Sequence, residues 1–113
     1  MKLGVVASLI EGALNGREDM PDGITPRFRD VQAMARAAES LGLDSLWAWD
    51  HLLYRDPFPE TGCWEAFTFL GALAASTSRI TLGTLVACTA FRNPALLAKM
   101  ADSLDEISDG RFV

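Results

Sequence analysis

The sequence predicts an α/β fold built from parallel strands. Two observations carry that prediction. Apolar, β-branched runs alternate with amphipathic helical stretches from one end of the 113-residue chain to the other. Such alternation implies parallel strands joined by right-handed crossovers. The strand runs are also apolar almost throughout, which fits a sheet covered on both faces.

Lys2 to Ser8 is a short valine-containing run and reads as a buried strand. Residues 9 to 24 hold Gly12, Asn15, Gly16, Asp19, Pro21, Asp22 and Gly23 with no apolar period. This reads as a long connection, and long connections in compact domains are usually functional or mobile. Thr25-Pro26 has the cap-then-proline pattern that opens a helix. Phe28, Val31, Ala35, Ala38 and Leu41 then fall on one face, and Gly42 ends the helix.

Ser45 to Trp49 is a second strand, closed by Asp50-His51. By strand alternation Trp47 and Trp49 share one face and Ala48 and Asp50 the other. The tryptophans are expected to pack against helices and Asp50 to point inward. Residues 52 to 62 hold Pro57, Pro59 and Gly62 and read as loop. Trp64 to Ser76 is a second helix with Trp64, Phe67, Leu70 and Ala74 on its apolar side. Ile80 to Val86 is a third strand, in which Gly83 suggests a bulge or a close approach. Asn93-Pro94 repeats the helix-opening signal. Leu97, Met100, Ala101 and Leu104 form the apolar stripe of a third helix, Gly110 stops it, and Arg111 to Val113 begins a fourth strand.

Two folds use this order. One is the eight-unit barrel of about 250 residues, and the other an open doubly wound sheet. In both, ligands sit at the carboxyl ends of the strands. That places the functional side at residues 9–24, 50–62 and 87–92.

Composition narrows the function classes. Ten Lys and Arg against fifteen Asp and Glu give a net charge of −5. This excludes the basic face that nucleic acid or an anionic membrane wants. The longest dense apolar stretch, residues 66 to 75, is too short to span a bilayer, and the N-terminus lacks the apolar core of a signal peptide. Two cysteines, Cys63 and Cys88, with no CxxC pair, suit a reducing cytoplasm. There is no GxGxxG after the first strand, no GxxxxGK[ST] and no GxSxG, which weakens dinucleotide, P-loop and serine-hydrolase readings.

The candidate chemistry lies at the strand ends. His51 is the only histidine, and an imidazole gives or takes a proton near neutral pH. The plainer reading is that Asp50 caps a turn and His51 is a surface residue. Thr84, Cys88 and Thr89 offer hydrogen bonds to a ligand, or simply cap a strand end. Cys63, Cys88 and His51 lack the usual spacing of a zinc site, and no metal is expected.

Leu43 to His51 (LDSLWAWDH), Ile80 to Val86 (ITLGTLV), Arg92-Asn93-Pro94-Ala95 and Ser108-Asp109-Gly110-Arg111-Phe112 resemble, in order, the bacterial luciferase-like monooxygenase family. The resemblance implies the N-terminal part of a (β/α)8 TIM barrel: about three βα units plus the start of strand four, a single incomplete domain over residues 1–113. It implies a flavin- or deazaflavin-dependent oxidoreductase or monooxygenase, with reduced FMN or coenzyme F420 as cofactor and a small organic substrate. It implies that Asp50 and His51 lie by the cofactor ring, with His51 as general acid/base. It places a non-prolyl cis peptide at Leu85-Val86 behind the ring, and Cys88 where other members have a small polar contact. The Asp50-His51 pair favours the deazaflavin. The alternative is a non-catalytic half-barrel partner or an inactive truncated chain; a homo-oligomer stays open.

Overall fold

The computed structural model describes residues 1–9, 26–54 and 61–113. The long connection after the first strand, the Thr25 cap and the proline-containing part of the 52–62 loop lie outside the described residues, wholly or in part.

Three parallel strands form the sheet, in the order β1 (Gly4–Ala7), β2 (Ser45–Ala48), β5 (Thr81–Thr84). Val6 pairs with Trp47 and Trp47 with Gly83, so the three strand ends lie level. A fourth strand begins as expected at the chain end. The Leu82 amide donates to the Arg111 carbonyl at 2.9 Å, the Val113 amide donates to the Leu82 carbonyl at 2.9 Å, and Phe112 bridges Leu82 in parallel.

The crossover helices are α1 (Phe28–Ser40), α2 (Ala66–Ala74) and α3 (Pro94–Ser108). Val31, Ala35 and Ala38 of α1, and Phe67, Leu70, Leu73 and Ala74 of α2, bury against Ala7, Leu46, Ala48, Ile80 and Leu82 of the sheet. Helix α3 adds Leu104 to this core, with Leu97 and Met100 packed beside it. The acidic run Asp102, Asp105, Glu106 and Asp109 stays in solvent.

Helix boundaries follow the capping chemistry in part. Asn93 caps α3 as expected: its side chain accepts from the Ala95 amide at 2.9 Å, with Pro94 at the first position. At the other end Asp109, not only Gly110, adopts a left-handed backbone (φ 57° and 74°). Helix α1 begins two residues later than Pro26 suggests. The Pro26 carbonyl instead accepts from Trp64 Nε1 at 2.7 Å. Trp64 therefore stands before α2, half-exposed and stacked on Phe69, and Glu65 is the cap of that helix. Leu41, the last residue of the expected α1 stripe, is exposed beyond the final turn. Within the 52–62 loop the structure also has a two-residue antiparallel pair, β3 (Leu53–Tyr54) with β4 (Thr61–Gly62). Strands of two residues carry no readable period.

The face assignment of β2 is reversed from expectation. Leu46 and Ala48 lie under α1 and α2, and Trp47 faces the opposite side with Val6. The reason is local volume. Gly83 sits beside Trp47, and a Cβ there would stand 2.6 Å from the indole ring and 2.8 Å from the Val113 carbonyl. The side without glycines holds the packed leucines. Val6 is 38% exposed, so among the described residues the helices cover one face of this sheet rather than two. The close approach that Gly83 suggested is thus the Trp47 ring.

Arg111 locks the helix ends to the sheet. Its guanidinium donates to the carbonyls of Ser108, Ile80, Ala74 and Thr77 at 2.6 to 3.1 Å and to Thr77 Oγ1. Wholly buried Ser108 accepts from the Arg111 amide. The Ser-Asp-Gly-Arg-Phe segment is therefore a structural joint, satisfying carbonyls that helix ends leave unpaired. Among the described residues no helix is long and apolar enough to cross a membrane.

Candidate functional site

The carboxyl ends of β2 and β5 meet at one rim. Asp50 and His51 follow β2 directly. After β5 the chain runs through Leu85 to Cys88, a 3-10 turn at Thr89–Phe91, and Arg92. The Leu85-Val86 peptide is cis, at the bond the sequence resemblance indicated. The Leu85 amide still pairs with the Ala48 carbonyl at 2.8 Å, which keeps the segment against β2. Leu85 and Val86 are exposed, an apolar surface at the rim.

Asp50 is buried, and its carboxylate is fully engaged. It accepts from the Cys88 amide at 2.9 Å, from Arg92 Nη1 at 2.6 Å and from Arg92 Nη2 at 2.8 Å. This is the fork-to-fork geometry that makes charge-assisted bonds strong and directional. The same Nη2 also reaches Glu65 Oε1. The guanidinium lies 4.5 Å above the Phe67 ring, within cation–π range. One cation thus joins the end of β2, the cap of α2 and the loop after β5.

The charges are mutually fixed. Hydrogen bonding to Asp50, opposed by burial and reinforced by Glu65, pushes the Arg92 guanidinium above its ordinary value. Burial alone raises the Glu65 carboxyl. Hydrogen bonds from the Thr68 side chain and amide, from Arg92 and from the Phe67 amide outweigh it and hold the carboxyl below 4.5. Thr68 donates twice to Glu65 Oε2, at 2.7 Å from N and 2.6 Å from Oγ1.

Of the residues named from sequence, Asp50 and Cys88 are in direct contact, through the Cys88 backbone. His51 is exposed beside them, with its ring edge-on to Trp49 at 6.2 Å. Neither Cys88 nor Cys63 is in a disulfide, and among the described residues no three His, Cys, Asp or Glu gather as a metal site. Sequence reasoning gave no site role to Arg92 or Glu65, although Arg92 opens one of the motifs that carry the resemblance, and it placed Phe67 only on the apolar side of the second helix. One signal was available: an arginine two residues before a helix-opening proline, on the rim that carries a buried aspartate. Ser8, at the end of β1, was also passed over. Its Oγ is buried with no hydrogen-bond partner among the described residues.

A sequence model of the luciferase-like monooxygenase family matches residues 1–113. The chain belongs to this family. Among its luciferase-like relatives is an F420-dependent glucose-6-phosphate dehydrogenase of Amycolatopsis mediterranei (strain U-32), 37% identical over 89 residues, 75% of this chain and 26% of that protein. Another is the pyrimidine monooxygenase RutA of Acinetobacter baylyi (strain ATCC 33305 / BD413 / ADP1), 33% identical over 116 residues, 99% of this chain and 30% of that protein. The chain therefore spans under a third of the length of these relatives. A solved F420-dependent secondary alcohol dehydrogenase, in complex with an F420-acetone adduct, superposes with a TM-score of 0.72 at 26% identity, over 98% of this chain and 29% of that one. The three βα units and the opening of strand four are the N-terminal part of the luciferase-like (β/α)8 barrel, not a doubly wound sheet.

Proposed function

We propose that residues 1–113 are a single incomplete domain, the N-terminal part of a luciferase-like oxidoreductase acting on a small organic substrate with F420 or reduced FMN. The observation that carries this reading is the joined rim. Asp50-His51 and the Leu85–Cys88 segment come from different strands and are tied by the 2.9 Å bond from the Cys88 amide to Asp50.

The residues present fit a planar ring cofactor. Leu85 and Val86 offer an exposed apolar surface, and the buried Ser8 Oγ, with no partner among the described residues, offers a polar atom at the neighbouring strand end. When bound, the cofactor supplies the hydride or oxygen chemistry, and the protein orients it. In this reading Leu85 and Val86 back the ring, Cys88 and Asp50 border it, and His51 exchanges a proton with the substrate. Asp50 acts mainly through its charge pair, since Arg92 occupies both of its oxygens. The Asp-His pair and the F420-dependent relatives favour the deazaflavin. Two thiols outside any disulfide suit a cytoplasmic setting.

The test is titration of the full-length enzyme that carries this segment with F420 and with FMN, followed by turnover of its His51→Ala variant; the isolated 113-residue chain is expected to be inactive. Binding of one cofactor is expected, with turnover in the variant lower by about 10²–10⁴-fold. Unchanged turnover removes the proton-transfer role, and binding of neither cofactor removes the site. The position of β1 as the outer strand of the described sheet favours a second reading, a non-catalytic half-barrel that pairs this edge with another chain. Failure of cofactor binding together with a stable hetero-complex supports it.

A further inference from the structure

We propose that Arg92 is a positioning residue: its guanidinium fixes the Asp50 carboxylate and thereby holds His51 and the Leu85–Cys88 segment in one arrangement at the rim. The inference rests on the reading of that rim as the reaction site, and adds a residue to it.

Arg92 is nearly enclosed by its own partners. Its side chain is 8% exposed, and Nη1 and Nη2 go to Asp50 and Glu65 while its plane covers Phe67. What it controls is Asp50, a residue with two outward connections. One is covalent, because His51 is the next residue. The other is the hydrogen bond from the Cys88 amide to Oδ2, the oxygen that also takes Arg92 Nη1. A change in the carboxylate angle is therefore passed to both sides of the rim at once.

Glu65 accepts from the same Nη2 that bonds Asp50 Oδ1 and is itself anchored by Thr68 and the Phe67 amide. The cation is thus referenced to the first turn of α2, a rigid element, rather than to the loops it aligns. Lysine cannot replace it, because a single ammonium has no planar fork with which to set an angle. Small displacements matter at such a rim: an error of about 1 Å in the placement of a reacting group costs on the order of 10²-fold in rate.

The test is Arg92→Lys, alone and combined with His51→Ala, with Asp50→Asn as the shape-conserving second variant. His51 is the only histidine, so one imidazole spin system reports its setting. Arg92→Lys is expected to keep the circular-dichroism spectrum. It should split or broaden the His51 imidazole signals and speed hydrogen exchange at the Cys88 amide. In the full-length enzyme, turnover should fall about 10- to 100-fold in the His51 background, by the misplacement argument, and by less in His51→Ala, where only the Leu85–Cys88 side is left to misplace.

An unchanged imidazole spectrum with unchanged Cys88 exchange overturns the proposal. So does a turnover loss that simply multiplies with that of His51→Ala. Should Arg92→Lys lose its fold, Asp50→Asn is read by the same signals with the same expectations. If His51→Ala turns over normally, the proton-transfer reading fails by itself, and the imidazole and exchange data still decide the positioning role.

Discussion

Arg92 and Asp50, 42 positions apart in the chain, meet as a two-pronged ion pair in which the side chains are 8% and 1% exposed. Each prong is short, 2.6 and 2.8 Å. The pair is sealed beneath by Phe67 and extended by Glu65. Much of the energetic behaviour of the rim follows from that burial.

Removing one partner strands the other. Arg92→Met is expected to destabilise the protein by about 3–5 kcal/mol, because Asp50 is left as a buried charge without its cation. Adding Asp50→Asn to that variant should recover part of the loss, since the stranded charge is gone. Urea denaturation of the two single variants and the double variant measures both effects.

Glu65 gives the acid side of the stability profile. Its folded carboxyl lies below the ordinary 4.5, so the folded state binds the proton less readily than the unfolded chain. Its contribution is therefore complete above about pH 4.5 and is lost as the pH falls through the lower, folded value. Glu65→Gln is expected to flatten this acid limb below about pH 4.5. Thermal melts across that range check it, and an unchanged slope counts against the assignment.

Gly83 is held by its neighbour's bulk. A methyl group at this position meets the Trp47 ring and the Val113 carbonyl inside van der Waals distance. Gly83→Ala should destabilise by about 1–3 kcal/mol through overpacking. Trp47→Leu in the same chain should relieve part of that, which a double-mutant cycle on melting temperature reads directly.

Arg111 serves both helix ends. Arg111→Met deprives the Ala74, Thr77, Ile80 and Ser108 carbonyls of their donor. The expected cost is about 2–3 kcal/mol, in the range for leaving buried polar groups unmatched. Faster hydrogen exchange at the last turns of α2 and α3 should accompany it, with little change at the Asp50 rim.

The order of strands and helices was legible because each apolar run and each cap carries its own local signal. Asn93-Pro94 marked α3 correctly, since a side-chain oxygen and a missing amide are sufficient to start a helix. The same reasoning placed the start of α1 too early, because the Pro26 carbonyl goes to Trp64, 38 positions away. The resemblance located the Leu85-Val86 bond and the Asp50-His51 pair. It included Arg92 in a motif but gave neither Arg92 nor Glu65 a role at the site, since their importance lies in what they touch.

By itself the sequence determined the α/β alternation, the three crossover units with a fourth strand opening, and the family to which they belong. These follow from periodicity, capping and short motifs, all of which act over a few residues. Only the tertiary structure decided which face of β2 carries Trp47, and that Asp50 is spent on Arg92. Both depend on volume and charge brought together from distant segments, Gly83 beside Trp47 and a guanidinium over Phe67, and no local pattern encodes such meetings.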